Sequence, residues 1–199
     1  MKIALFGTSA DPPTVGHQQV LIWLSQYYDK VVIWAAENPF KDHQVSIEHR
    51  VVMLQLLIAD ANVSKQNIVL AQDLSCLRTL ETVERASVRW GEETEFTLVV
   101  GSDLLKQLKR WYKIADLLKQ VELLVVPRPG YVIDDSGIQS VKELGGKIAI
   151  ASLMGLDTSS TDYRQNQEHQ VLVAPVLAYI QQEHLYECRD KNTTNLQIQ

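Results

Sequence analysis

The stretch KIALFGTSADPPTVGHQQVLIWLSQYY, residues 2–28, decides the fold. An uninterrupted apolar run, Lys2–Phe6, gives way to a loop with Gly7, two hydroxyls, an aspartate and two adjacent prolines. Over Val15–Tyr28 the apolar residues Val20, Leu21, Leu24 and Tyr28 then recur at helical spacing. A continuous apolar run reads as a strand covered on both faces. Strand, crowded loop and helix together form the first unit of a sheet with helical crossovers.

The same alternation continues outward. Val31–Ala36 is a β-branched strand, Ile47–Ala59 a helix with Val51, Leu54 and Ile58 on one face, and Asn67–Leu70 a short strand. Arg78–Trp90 is helical, Phe96–Val100 a strand, and a helical stretch runs on through Leu118. Val121–Val126 and Lys147–Ala151 are further strands, with a short helix after Ser160 and a last one from Pro175 to about Glu183. Right-handed crossovers make this an α/β fold with a doubly wound, Rossmann-like, mostly parallel sheet. Pro129–Gly146, rich in Gly, Asp and Ser, reads as an irregular excursion. Residues 1–188 are expected to form one domain, and 189–199 a polar, frayed tail.

Composition narrows the partners. The chain has 199 residues and a formal charge of −5, which disfavours nucleic acid or an anionic membrane as the main partner. No run approaches the roughly 18–20 apolar residues that span a bilayer. The apolar start stops at Gly7, too short for a secretory leader. Cys76 and Cys188 lack metal-ligand spacing and read as reduced thiols, so a cytoplasmic location is expected.

In a doubly wound sheet, ligands sit at the carboxyl ends of the strands. The chemically rich segments fall there: Gly7–His17, Glu37–Lys41, Gly101–Asp103 and Asp157–Arg164. Gly7 leaves room beside the first strand, and Pro12 and Pro13 stiffen the loop. Thr14 and His17, three apart where the helix begins, share a face that Gly16 keeps open. Helix-start N–H groups, a hydroxyl and an imidazole make an anion cradle. The bland reading is a threonine cap and a locally bonded histidine. The loop is neither a Walker A motif nor G-x-G-x-x-G.

These residues resemble the (H/T)xGH nucleotidylyltransferases. Asn38-Pro39-Phe40-Lys41, then Ser46–Arg50, is similar to the "P-x-K … R" segment of bacterial nicotinate mononucleotide adenylyltransferases. VVGSDLLKQLKRWYKIADLLKQVELLVVPRPG (99–130) resembles that family's G-x-D … W-Y … R-P-G block, TSSTDYR (158–164) its I-S-S-T-x-x-R signature, and VLAYIQQEHLY its C-terminal Y-I … L-Y. The resemblance implies transfer of AMP from ATP to a pyridine mononucleotide, with Mg²⁺ on the triphosphate and pyrophosphate as leaving group. A homo-oligomer is compatible with it.

By the same resemblance, His17 would stabilise charge at the α-phosphate, with Thr14 where the family more often has its first histidine. Gly7, Thr8, Ser9 and Gly16 would line the phosphates, and Lys41 would face them from the opposite side. Ser160, Thr161 and Arg164 would grip the β- and γ-phosphates. Gly101 and Asp103 would contact the sugars, and Trp111 would stack on the pyridine ring, whereas Trp23, Trp34 and Trp90 read as core. Thr79 and Thr82 remain of an S-Y-T-x-x-T segment in which Leu77 and Arg78 replace Ser and Tyr. Arg78 either pairs with a nicotinate carboxylate or forms a surface ion pair with Glu81 or Glu84. Three other readings stay open. Thr14 also suits phosphopantetheine adenylyltransferase; a non-catalytic nucleotide-binding module is the second; a metal hydrolase is the third and is disfavoured, because His43 and His49 stand six apart with no carboxylate cluster.

Overall fold

The computed structural model describes residues 1–37, 45–133, 135–153, 156 and 158–186. Its six strands lie in one parallel sheet, in the order β3-β2-β1-β4-β5-β6. They are β1 (Lys2–Thr8), β2 (Lys30–Ala35), β3 (Ile68–Leu70), β4 (Glu95–Gly101), β5 (Glu122–Val126) and β6 (Lys147–Ile150). The crossing helices are α1 (Val15–Tyr27), α2 (Ile47–Asp60), α3 (Thr79–Trp90), α4 (Ile114–Gln120), α5 (Asp135–Glu143), α6 (Ser160–Asn166) and α7 (Ala174–Gln182). The doubly wound sheet expected from the alternating pattern is therefore present.

The strands read as continuous apolar runs because each feeds two cores. Ile3 and Leu5 of β1, with Val32 and Trp34 of β2, face a core closed by Leu80, Val83 and Ala86 of α3 and Leu117 of α4. Ala4, Val31 and Ile33 face the other core, closed by Leu21 and Leu24 of α1, Met53, Leu54 and Leu57 of α2, and Val176 of α7. Fully burying each such Leu, Ile or Val contributes about 1.5–3 kcal/mol relative to exposure. Trp34 is buried, and Trp23 and Trp90 are half-buried against these cores.

Two segments depart from the sequence reading. Pro129–Gly146 is not wholly irregular: α5 occupies Asp135–Glu143, burying Val141, and packs on β6. Its polar composition hid it, because only one narrow stripe is apolar. The helical stretch before Leu118 divides into a 3-10 run, Ser102–Arg110, and α4. The polar tail 189–199 and Cys188 lie outside the described residues. Cys76 is a half-buried free thiol. No helix among the described residues is long and apolar enough to cross a membrane.

One feature of the register places the site. β1 pairs with β4 from Lys2–Glu95 to Leu5–Leu98. Yet β1 stays paired with β2 as far as Thr8–Ala35, and β4 with β5 as far as Gly101–Val126. The sheet therefore splits at its centre, between the last three residues of β1 and those of β4. That is also where the strand order reverses, the point at which open α/β sheets bind ligands.

Candidate active site

The β1–α1 loop forms one wall of this split. Thr14, the N-cap of α1, is extended (φ −114, ψ 169) and fully buried. Its N–H donates to His17 Nδ1 at 3.0 Å, and its Oγ1 lies 2.9 Å from the same nitrogen. With a main-chain N–H aimed at it, Nδ1 is the acceptor, so the neutral ring carries its proton on Nε2. The ring also stacks on Phe6, with centroids 6.4 Å apart. Thr14 stands at the N-cap with His17 reaching back to its N–H, as the reading of a cap and a locally bonded histidine expected, and that bond sets which ring nitrogen can donate.

Gly7 and Gly16 serve neighbours inside the protein. A Cβ on Gly7 would lie 2.6 Å from Trp34 Cζ2, so the space expected for a ligand holds the indole. A Cβ on Gly16 would lie 2.7 Å from Thr158 Oγ1, so Thr158 covers the face expected to be open. The unusual backbone falls instead at Ala10, buried with φ +49. A residue with a Cβ is held there at a cost of about 1–2 kcal/mol.

The loop's carbonyls are bound from outside. Arg164 Nη1 donates to the Asp11 carbonyl, and Ser160 Oγ donates to the Pro12 carbonyl at 2.7 Å. The peptide between those two residues is cis. Tyr186 Oη donates to Asp11 Oδ1 at 2.6 Å, and burial beside that carboxylate pushes the phenol's pKa far up, so it stays a donor. Ser160 and Arg164, expected on phosphates, are thus also tied to the loop, with Arg164 Nη2 meeting Thr161 Oγ1 at 3.3 Å. Arg50 of α2 donates to the carbonyls of Ser9 and Ala36.

Across the split, Asp103 follows β4 and pairs with Arg128 Nη1 at 3.1 Å. Asp103 folds back over Gly101, where a Cβ would collide with it. Its Oδ1 is buried without a hydrogen-bond partner among the described residues. Ser102 Oγ accepts the Arg128 N–H at 3.0 Å and donates to the Tyr131 carbonyl at 3.3 Å, fixing the R-P-G turn.

The sequence profile of the Cytidylyltransferase-like family matches residues 5–166. A probable nicotinate-nucleotide adenylyltransferase of Synechocystis sp. is 43% identical, covering 94% of this chain and 99% of the relative. The chain belongs to the nicotinate-nucleotide adenylyltransferase family. The nicotinate-nucleotide adenylyltransferase of Bacillus subtilis is 28% identical over 67% of this chain and 72% of its own. In fold, the chain is similar to the Plasmodium falciparum nicotinic acid mononucleotide adenylyltransferase complexed with NaAD. The TM-score is 0.79 at 20% identity, covering 93% of this chain and 97% of that one.

The residues this adenylyltransferase family member was expected to offer the mononucleotide divide in two. Arg78 is exposed, pairs with Glu81 at 3.3 Å and lies 4.1 Å over the Tyr112 ring, which is the surface-pair alternative. That stack brings the start of α3, with half-buried Thr79, to the turn holding half-buried Trp111. Thr82 is 1% exposed, turned into the interior beside Val83 and Ala86, and is not open to a substrate. Lys41 lies outside the described residues.

Arg50, Asp11 and Tyr186 fell within quoted motifs in the sequence, as the R of P-x-K … R, a residue of the loop and the end of Y-I … L-Y, but sequence reading gave none of them a role in this site. Arg50 left a signal: it lies on the same helical stripe as Met53, Leu54 and Leu57, an arginine among core positions. Tyr186 is the last letter of the Y-I … L-Y stretch, but its contact could not be read from sequence, because its partner is 175 residues away.

Proposed function

We infer that this chain transfers AMP from ATP to nicotinate mononucleotide, giving nicotinate adenine dinucleotide and pyrophosphate for NAD biosynthesis. The observation that carries the reading is the Thr14–His17 pair where α1 follows β1, beside the split between β1 and β4, in a chain aligned over 94% of its length with its adenylyltransferase relative. A phosphate oxygen of the mononucleotide attacks the α-phosphorus in line. That P–O bond forms as the bond to the bridging oxygen of pyrophosphate breaks. No protein nucleophile is required, so the protein positions the reactants and stabilises charge.

His17 Nε2–H donates to a non-bridging α-phosphate oxygen, and the N–H groups at the start of α1 support the same charge. Thr14 acts through His17 by fixing its tautomer. Thr8, Ser9, Ser160, Thr161, Arg164 and Lys41 serve the remaining phosphates, Gly101 and Asp103 the sugars, and Thr79 and Trp111 the pyridine. ATP enters as its Mg²⁺ complex. The donors around the loop are N–H groups, hydroxyls and cations, which suits an ion held by phosphate and water oxygens.

The test is pyrophosphate release from ATP and Mg²⁺ with nicotinate mononucleotide, nicotinamide mononucleotide or phosphopantetheine supplied separately. Turnover with nicotinate mononucleotide is expected. Turnover with phosphopantetheine alone would replace this reading, and release with none of the three would leave a nucleotide-binding module.

A further inference from the structure

The carbonyls at the ends of β1 and β2 share one donor. Past Thr8, the Ala36 N–H donates to the Thr8 carbonyl at 2.7 Å. Beyond that bond, Arg50 Nη1 reaches the Ser9 carbonyl at 2.9 Å and the Ala36 carbonyl at 2.8 Å, while Nη2 meets Glu37 Oε1 at 2.8 Å. Arg50 is 1% exposed, and its Nε has no partner among the described residues. Glu37, its counter-charge, is 47% exposed. A charge buried this deeply, on two carbonyls and a half-exposed carboxylate, is weak evidence of a role in stability alone, since apolar replacements of buried ion pairs are often neutral or stabilising.

The residue after Ser9 is Ala10, in the left-handed conformation. Such a backbone persists where its surroundings over-determine it, and these positions cluster at functional sites. Here both flanks are held. Arg50 binds the carbonyl before Ala10; Arg164 and Tyr186 bind the residue after it. In a trans peptide the Ser9 carbonyl and the Ala10 N–H point in opposite directions, so drawing the carbonyl to Arg50 turns the N–H away from it. The chain direction set at Ala10 leads to Thr14 and thus to His17.

We propose that Arg50 is a positioning residue of the AMP-transfer step, acting through the Ser9 and Ala36 carbonyls to fix the Ala10 turn and the His17 side chain beyond it. The proposal rests on the function inferred above. Arg50 touches no substrate; its effect is on the placement of groups that do. A misplacement of about 1 Å at a reacting centre costs on the order of a hundredfold in rate.

The experiment compares wild type, Arg50→Lys, Arg50→Met and Arg50→Ala. Kinetics with ATP, Mg²⁺ and nicotinate mononucleotide are joined to thermal unfolding and to amide exchange over residues 7–17. Arg50→Met is expected to lower kcat by roughly 10²-fold, with KM for the mononucleotide little changed and Tm lowered but still above the assay temperature. Amide exchange should quicken in that loop ahead of the strands. Arg50→Lys should fall between, and added guanidinium should restore part of the Arg50→Ala rate. A kcat for Arg50→Met close to wild type would overturn the proposal. So would a rate loss that tracks loss of folded protein and resists guanidinium. If wild type itself fails to turn over, the proposed function fails; loop exchange then decides the Arg50 proposal alone, and unchanged protection in Arg50→Met ends it.

Discussion

His17 Nδ1 lies 3.0 Å from the Thr14 amide nitrogen and 2.9 Å from the Thr14 hydroxyl oxygen, so one residue's main chain and side chain converge on one ring nitrogen. Either donor suffices to keep the proton on Nε2. His17→Ala is expected to lower kcat by roughly 10² to 10³, the usual effect of deleting one preorganised donor. A change confined to KM would mean that His17 binds ground-state ATP only. Thr14→Val keeps the amide donor and should lose only a fewfold in kcat. Thr14→His should be slow and less stable, because a fully buried threonine leaves no room for an imidazole and overpacking costs about 1–3 kcal/mol.

Gly7→Ala should destabilise the fold by about 1–3 kcal/mol, since the added methyl meets the buried Trp34 ring. Trp34→Phe should relieve that clash. The double variant is then expected to be less destabilised than the sum of the two single changes, measured by urea unfolding. Strict additivity would show that Gly7 is needed for something other than the indole.

Arg78 tests substrate choice. Its guanidinium already sits over Tyr112, next to Trp111, and is shared with Glu81 rather than buried. If it exchanges Glu81 for the nicotinate carboxylate, Arg78→Met will lower the ratio of kcat/KM for the acid over the amide mononucleotide by roughly tenfold or more, the worth of one charge-assisted hydrogen bond. An unchanged ratio assigns Arg78 to the surface pair alone.

Tyr186 carries a pH signature. Burial and the Asp11 carboxylate raise its pKa above the ordinary phenol value near 10. Above about pH 10 the unfolded chain therefore gives up a proton that the folded one keeps. The stability this linkage provides is full below that pH and is lost as pH rises beyond it. Tyr186→Phe should flatten this alkaline loss in unfolding measured from pH 8 to 11, at the expense of the Asp11 hydrogen bond at neutral pH. A parallel alkaline limb in the variant would rule Tyr186 out as its source.

The layout was legible where the physics is local. Continuous apolar runs announced β1, β2, β4 and β5, and helical spacing announced α1, α2 and α3. The strand-end rule then put Gly7–His17 and Gly101–Asp103 beside one split. What stayed hidden depends on distant neighbours. Nothing near Gly7 in sequence says that Trp34 fills its space. Nothing near Arg164 says that a carbonyl 153 residues away takes its guanidinium. Thr82 matched a motif by letter but faces inward, because the helix phase set by Leu80, Val83 and Ala86 carries it there. α5 was missed because Gly137 and Val141 are the buried positions of a helix that context, more than propensity, holds in place.

The split between β1 and β4 exposes main chain to main chain, and main chain is written the same way in every sequence. Residues 6–8 and 99–101 keep their outer neighbours while facing each other across a gap. Groups presented there belong to the polypeptide and not to its side chains. Substitution can recolour the walls of such a gap without altering its floor, and a fold of this kind persists between chains as far apart as one-fifth identity.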